Sequence, residues 1–239
     1  MYLIINCAEG DLQIILGNSE RLWFSSSLYV PGRAMKYMAP GIEWALGSLE
    51  MQTHELQGIA CVSGPGSFTG VRMSLAHALG LACAHNIPLA GLSFMQALAM
   101  GPGPLIQGTL LVLVHSRREQ VYAQAFSCPG LAVSSPAKNL HLSELKDLLS
   151  AYPDPVYLTG SGVRRNMDFF QHYRSAVLPR HWDVPAPHNL LRMSLEASWD
   201  TALPAPEYLR ASEAEENLAR IAAGRGLDLD QAREYLQRE

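Results

Sequence analysis

The sequence predicts an α/β protein in two successive halves, each of which opens with strands and continues into helices. Three strand-like runs begin the chain, and apolar residues at helical spacing follow them. After the Gly-Pro-Gly-Pro break at residues 101–104, two further strand-like runs return. This return favours an internal duplication, and we place the domains at residues 1–103 and 104–211, with a helical tail at 212–239.

In the first half, residues 2–6, 11–16 and 21–27 have the composition of strands and are joined by short turns, which predicts a β-meander. Apolar residues then recur every three or four positions over residues 33–50, and this spacing predicts a helix. Pro40 interrupts the pattern, so we expect a kink or two abutting helices there.

The rest of the first half predicts strand, helix, strand and helix in turn. An apolar run at 57–63 precedes a long helix that begins near Thr69, and residues 88–91 form another short strand. Ser93 is placed to cap a helix over residues 93–100.

The second half begins with a buried strand at residues 110–116 and its alternating hairpin partner at 120–126. The elements predicted after this hairpin are a helix at 143–150, a strand at 155–159, a turn at 160–162, and helices near 167–173 and 190–198. The glycine turn at 160–162 is the second half's one candidate for a phosphate loop.

A glycine-rich loop lies between a strand and the long helix of the first half. Gly64, Gly66 and Gly70 permit positive φ or close backbone approach, and Ser67 or Thr69 can cap the helix. Because a helix N-terminus presents unpaired N–H groups, these five residues are candidates for holding a phosphate. The structural alternative is a tight turn whose glycines let the helix pack on the strand.

The loop does not match the stronger phosphate-binding or nucleophile motifs. A P-loop needs a Lys-Ser/Thr pair, and the chain has no lysine between Lys36 and Lys138. A dinucleotide fingerprint needs a third glycine where Thr69 stands. Ser67 also lies outside the Gly-x-Ser-x-Gly pattern of a hydrolase, so capping is its better role.

The string Gly-Pro-Gly-Ser-Phe-Thr-Gly-Val-Arg at residues 64–72 resembles the signature of the TsaB (YeaZ) family. Four other segments agree with that family in order and spacing, namely residues 3–8, 116–122, 158–162 and 206–210. The resemblance implies an actin-like ATPase (ribonuclease H-like) fold with two subdomains of mixed sheets flanked by helices. It also implies that the protein supports a TsaD-type enzyme in forming threonylcarbamoyladenosine in tRNA.

Two positions depart from the family's pattern. Asn6 and His115 stand where family members usually carry aspartate, so the resemblance makes them a degenerate Mg²⁺ site. A hard cation needs oxygen ligands, whereas Asn6 offers one neutral oxygen and His115 offers nitrogen. We therefore expect no catalytic residue, no autonomous ATP hydrolysis and no cofactor, with nucleotide possible only at a partner interface.

The resemblance further implies partners. In this family, helices of the N-terminal half form both the homodimer and the contact with the TsaD-type transferase, and a TsaE-type ATPase is a further partner. Small residues four apart on the helix after the glycine loop would let another helix approach closely; the structural alternative is that this stripe packs inside the monomer. The expected interface residues are Met35, Met38, Ile42, Met73, Ala76, Gly80 and Ala84.

Two functions stay open at this point, a non-catalytic scaffold subunit and a nucleotide-binding enzyme of the actin-like superfamily. Asn6 and His115 favour the first. The eight histidines show neither His-x-x-x-His nor His-Glu-x-x-His spacing, so a glycoprotease or another metal site is not supported. His77 and His85 lie eight residues apart on one predicted helix, roughly 12 Å, too far to share an ion.

The amino-acid composition limits which partners and which cellular location we expect. The 239 residues are 48% hydrophobic, which is ample for a packed core, and the net charge of −4 predicts no autonomous tRNA binding. Cys7, Cys61, Cys83 and Cys128 lie far apart in apolar runs, as buried reduced thiols do. The longest strongly apolar run, at residues 110–114, is too short to span a bilayer, and we expect a cytoplasmic protein.

Overall fold

The computed structural model describes residues 1–173 and 175–210, so the predicted tail at 212–239 lies outside the described residues. The strands of the first half are β1 (Tyr2–Asn6), β2 (Asp11–Gly17), β3 (Leu22–Tyr29), β4 (Gly58–Gly64) and β5 (Leu89–Ser93). They form one mixed sheet in the order β3-β2-β1-β4-β5. β1 pairs antiparallel with β2 and parallel with β4, and its central position explains its uninterrupted apolar sequence.

The second half forms another five-stranded mixed sheet. Its strands are β6 (Gly108–Arg117), β7 (Gln120–Cys128), β8 (Ala132–His141), β9 (Val156–Thr159) and β10 (Ala176–Val177). The order is β10-β9-β6-β7-β8, with β6 antiparallel to β7 and parallel to β9. Leu111 and Val121 of this sheet pack in one buried cluster with Leu145 and Val163.

Helices flank both sheets. They are α1 (Ala34–Gly47), α2 (Phe68–His85), α3 (Phe94–Ala99), α4 (Leu142–Ser150), α5 (Ser161–Arg165), α6 (Met167–Phe170) and α7 (Pro187–Glu196). A Cβ on Gly41 of α1 would lie 2.5 Å from Ile14, and one on Gly17 would lie 2.5 Å from Leu191 of α7. Since successive side chains of β2 point to opposite faces, α1 and α7 cover opposite faces of the first sheet.

The predicted fold class is confirmed, because both halves are mixed five-stranded sheets flanked by helices. Among the residues that the structure describes, no helix is both long enough and apolar enough to cross a membrane.

Of the two alternatives predicted at Pro40, a kink or two abutting helices, the second is wrong, since α1 runs continuously through this proline. Pro40 lacks the N–H that would bond to the carbonyl of Lys36, and both residues are exposed, so water can satisfy that carbonyl. The buried side chains of Met38 and Ala45 hold the helix on the sheet on both sides of the proline.

β8 and the short β10 are two strands that the sequence pattern does not predict. β8 is an edge strand with largely exposed residues, and it contains Pro136 and Lys138, which conceal the alternation of a buried strand. A proline is tolerated there because an edge strand leaves half of its backbone groups unpaired by the sheet. The turn predicted at 160–162 is also shorter than expected, because α5 begins at Ser161.

Two local predictions need correction. Cys7, Cys61 and Cys128 are buried as expected, but Cys83 is exposed on α2. Ser93 precedes α3 at the capping position, yet its side chain makes no capping hydrogen bond within the described part of the chain.

Candidate functional site

Ser67 caps α2, as the glycine-loop sequence predicts. Its Oγ accepts a hydrogen bond from the backbone N–H of Gly70 at 3.2 Å. Thr69, the alternative cap, lies inside the first turn of the helix. This cap fixes the direction in which α2 leaves the loop.

The loop glycines allow the loop to lie directly on the end of β1. A Cβ on Gly66 would stand 2.1 Å from the carbonyl oxygen of Ala8, and one on Gly70 would stand 2.0 Å from that of Cys7. The backbone N–H of Ser67 donates to the Ala8 carbonyl at 2.6 Å. These contacts favour the tight-turn alternative over phosphate binding. The backbone carbonyls at the end of β1 fill the space beside the loop, and one of them already accepts the Ser67 N–H.

Gly64, the first candidate of the loop, has a φ of +120° that favours glycine. A Cβ there would lie 3.1 Å from the carbonyl oxygen of Glu207. The backbone N–H of Glu207 donates to Ser63 at 2.8 Å, so this side of the loop also packs against the chain itself.

Asn6 belongs to a buried amide pair. Its Nδ2 donates to Gln13 Oε1 at 2.8 Å, and its Oδ1 accepts from the Ala8 N–H at 3.0 Å. Gln13 Nε2 in turn donates to the Pro185 carbonyl at 3.0 Å. Because Gln13 presents an oxygen to position 6, that position needs a donor, which asparagine has and aspartate lacks. The departure from the family's aspartate therefore has a structural role in this chain.

A chain of hydrogen bonds joins the other departing residue to the first sheet. The His115 N–H donates to Ser161 Oγ at 2.9 Å, and Ser161 Oγ donates to the carboxylate of Glu9. Burial raises the pKa of Glu9 to about 7, against the Ser161 hydrogen bond and the Arg165 charge, which lower it. Glu9 lies just after β1 and was not singled out from the sequence, where no local spacing links it to Ser161.

His115 is partly buried and lies within the influence of the Arg165 charge. Burial lowers its pKa, and the charge of Arg165 lowers it further, so the imidazole is neutral at neutral pH. Its buried Nδ1 has no hydrogen-bond partner among the described residues. A cavity of about 670 Å³ lies beside it, lined by His115, Arg118, Glu119, Arg165 and Asn166.

Asp183 occupies the start of α5, where the glycine turn could have met a phosphate. Its Oδ1 accepts the Gly160 N–H at 2.7 Å and the Thr159 hydroxyl at 3.2 Å. Arg164 pairs with both carboxylate oxygens, with Nε at 2.6 Å from Oδ2. The Asp183 carboxylate thus occupies the position of a bound anion and accepts the hydrogen bonds that such an anion would need. Within residues 1–173 and 175–210, no three His, Cys, Asp or Glu side chains lie close enough to hold a metal ion.

A groove of about 850 Å³ separates α1 from α2. Its lining is mainly apolar and includes Ile42 and Leu46 from α1 and Ala76, Gly80 and Leu81 from α2. A Cβ placed on Gly80 would meet no described atom within 4 Å. The small residues of α2 therefore face the groove rather than the monomer's core.

The predicted interface residues divide between surface and core. Ala76, Gly80 and Ala84 are exposed, Met73 is half-buried, and Met35 is 69% exposed. Met38 is wrongly placed in the interface, because it is fully buried under α1, and Ile42, only 5% exposed, can contribute no more than the floor of the groove.

Three histidines also line this groove. His54 comes from the 3₁₀ turn Thr53–Glu55, and its ring centroid lies 6.2 Å from that of His85. His77 lies further along α2, where Nδ1 is 3.0 Å from the Met73 carbonyl oxygen. Sequence spacing excluded a pair between His77 and His85 but could not show that the fold brings His54 to His85.

Several known proteins are similar to this chain in sequence or in fold. The family profile described as TsaD, tRNA N6-adenosine threonylcarbamoyltransferase, matches residues 34–149. The tRNA threonylcarbamoyladenosine biosynthesis protein TsaB of Bacillus subtilis (strain 168) is 27% identical over 183 residues, which are 74% of this chain and 79% of that protein. The chain is thus similar in sequence to TsaB over about three quarters of its length.

Other known proteins are similar to part of this chain or share its fold. An uncharacterized protein of Mycobacterium tuberculosis (strain ATCC 25618 / H37Rv) is 30% identical over 102 residues, covering 43% of this chain and 46% of that protein. The structure of YeaZ from Pseudomonas aeruginosa aligns with a TM-score of 0.73 and 19% identity, covering 87% of this chain and 99% of that one. The YeaZ likeness shows a shared fold.

Proposed function

We propose that this chain is a non-catalytic subunit that pairs with a TsaD-type threonylcarbamoyltransferase in forming threonylcarbamoyladenosine in tRNA, next to the anticodon. The relationship to Bacillus subtilis TsaB supports a part in this tRNA modification. The groove between α1 and α2 carries the proposed pairing, because its lining is mainly apolar and includes the small residues Ala76 and Gly80 of α2.

One helix of the transferase fits this groove. Ile42 and Leu46 form an apolar floor, and the absence of a side chain at Gly80 lets a backbone come close. Exposed Met35 adds a flexible apolar contact on α1. Packing an amphipathic helix into such a groove is a common mode of recognition. A second copy of this chain would compete for the same surface.

The non-catalytic role is supported by the way the chain satisfies its own polar groups. Asn6 is held by Gln13 and Ala8, and the Gly160 N–H is held by Asp183. With a net charge of −4 the chain lacks the clustered positive charge that tRNA binding needs, so the transferase supplies the tRNA surface and a TsaE-type ATPase supplies ATP hydrolysis.

Gly80→Arg tests the pairing. The substitution fills the groove but meets no described atom of the monomer, and arginine is a better helix former than glycine. Gly130→Arg is the matched control, because Gly130 also has open space around its Cα. We expect Gly80→Arg to lose capture of the TsaD-type protein and modification activity in a reconstituted system, with an unchanged melting temperature. Unaltered capture by this variant would place the partner elsewhere.

A second candidate is a nucleotide-binding enzyme, favoured by the cavity beside His115 with Arg118 and Arg165. Two arginines suit an anionic ligand. ATP hydrolysis by the purified chain that disappears in Arg165→Ala would support this candidate over the scaffold.

A further inference from the structure

β3 is an edge strand of the first sheet, and among the described residues it pairs with β2 alone. An unpaired strand edge is a template for another strand, and proteins usually protect it with charges or proline. The sequence of β3, Leu-Trp-Phe-Ser-Ser-Ser-Leu-Tyr, contains neither. Trp23 is 45% exposed and Tyr29 is 72% exposed, so this edge also carries accessible apolar surface.

The two faces of β3 carry different apolar groups. Phe24 pairs with Leu16 of β2 and lies on the α1 side, where its ring meets the exposed ring of Trp44 edge-on at 5.1 Å between centroids. Leu28 lies on the same face, four residues along. Trp23 and Tyr29 lie on the opposite face, because side chains alternate along a strand.

The sequence of β3 is nearly symmetric about Ser26. If two copies of β3 run antiparallel with Ser26 opposite Ser26, Trp23 faces Tyr29 of the second copy and Phe24 faces its Leu28. Each of these apolar pairs occurs twice, and each contributes about 0.2–1 kcal/mol. A shift by one residue would place Phe24 opposite Ser27 in one direction and opposite Tyr29 in the other, and either shift would turn one sheet over relative to its partner. The near-symmetric sequence therefore favours the register centred on Ser26.

We propose that β3 pairs with β3 of a second copy of this chain, joining the two first sheets into one continuous sheet of ten strands. No charged side chain of β3 opposes this pairing. α1 packs mainly on β2, and its Trp44 reaches Phe24 of β3. Because strands lie about 4.8 Å apart, the two α1 helices would stand about 14 Å apart, which leaves room for both Trp44 rings between them.

This pairing leaves the groove between α1 and α2 free. Ile42 and Leu46 of α1 face the groove, whereas Trp44 of the same helix faces β3. Self-association through β3 is therefore compatible with a helix bound in the groove, and it does not depend on the proposed function. The proposed assembly would carry two grooves.

Disulfide trapping tests the register. The full-length chain carries Gly80→Arg to block the groove and Cys83→Ser to remove the exposed thiol. In the proposed register, Ser26→Cys places two sulfur-bearing residues opposite each other with Cα atoms about 4.5–5.5 Å apart, within disulfide range. Ser25→Cys is the matched control, because it faces Ser27 and lies about 8 Å from its own copy. We expect several-fold more cross-linked dimer from Ser26→Cys under oxidised glutathione.

Sedimentation gives an independent measurement. The Gly80→Arg, Cys83→Ser chain is expected to self-associate, and adding Ser25→Lys to weaken that association about tenfold, since two lysines enter the interface. A chain that stays monomeric at every concentration, or Ser25→Cys that cross-links as well as Ser26→Cys, would overturn the proposal. If Ser26→Cys fails to fold by circular dichroism, the sedimentation comparison decides.

Discussion

Ser161 Oγ donates a hydrogen bond to the carboxylate of Glu9, and this contact joins the end of β1 to the start of α5 across 152 residues of sequence. Burial is the main influence on the pKa of the Glu9 carboxyl, and the positive charge of Arg165 lowers that pKa. Asp183 and Asp11 also act on it and raise its pKa further. The contact between the two sheets therefore includes a carboxyl group whose pKa is raised to about 7.

We predict that Glu9 makes the protein less stable as pH rises. The pKa of Glu9 is raised from 4.5 to about 7 in the folded chain, so the folded state binds a proton that the unfolded state has lost over this range. The stabilising effect is complete below about pH 4.5 and lost as pH rises through 7, on the order of 3 kcal/mol in the free energy of unfolding.

Denaturant unfolding at about pH 5 and about pH 8 checks this prediction. Glu9→Gln should flatten the dependence, because a neutral amide cannot ionise. Glu20→Gln is the control, since Glu20 is exposed on the turn after β2. A Glu9→Gln variant with the same pH dependence as the unaltered chain would contradict the assignment.

Asn6→Asp is expected to destabilise the protein rather than create a magnesium site. The substitution places a carboxylate against Gln13 Oε1 and removes the donor of the 2.8 Å hydrogen bond. Loss of a buried partner costs about 1–3 kcal/mol, and more for a charged group. Thermal unfolding measures the loss.

The double variant Asn6→Asp, His115→Asp tests the catalytic side of the same question. We expect no ATP hydrolysis above background, because Asp183 keeps the Gly160 N–H and Arg164 in a carboxylate pair. A Mg²⁺-dependent turnover in this variant would show that the first and second halves can still assemble an ATPase site.

Gly66→Ala tests whether the loop glycines serve packing. The new methyl group would stand 2.1 Å from the Ala8 carbonyl oxygen, and the clash is with backbone, which cannot rotate away. We expect a loss of about 2–4 kcal/mol in the free energy of unfolding. Gly130→Ala, which meets no described atom within 4 Å, should change stability by less than about 0.5 kcal/mol. Equal stability of the two variants would contradict the packing role of Gly66 and would favour phosphate binding by the loop.

The sequence predicts those elements whose defining residues are adjacent in the chain. The strand-loop-helix around residues 58–85 follows from an apolar run, a capping serine and glycines, all adjacent in sequence. β8 escapes prediction because an edge strand need not alternate. Met38 was assigned to an interface because helical spacing gives a face but does not say which face meets the sheet.

The site depends on contacts that spacing cannot reveal. Gln13 reaches the Pro185 carbonyl across 172 residues, and that contact decides which way its amide points and hence what position 6 must be. His54 approaches His85 only because the turn before β4 lies beside the end of α2. Such relations follow from sheet order, which sequence pattern predicts in outline alone.

The packing of α7 on the first sheet has a consequence for synthesis of the chain. Leu191 fills the space over Gly17, and Trp199 stacks on Tyr2 with ring centroids 5.1 Å apart. At about 5–20 residues per second, the ribosome needs several seconds to make the hundred or so residues between β5 and α7. Until α7 has been made, the apolar surface of the first sheet that Leu191 covers lacks this cover.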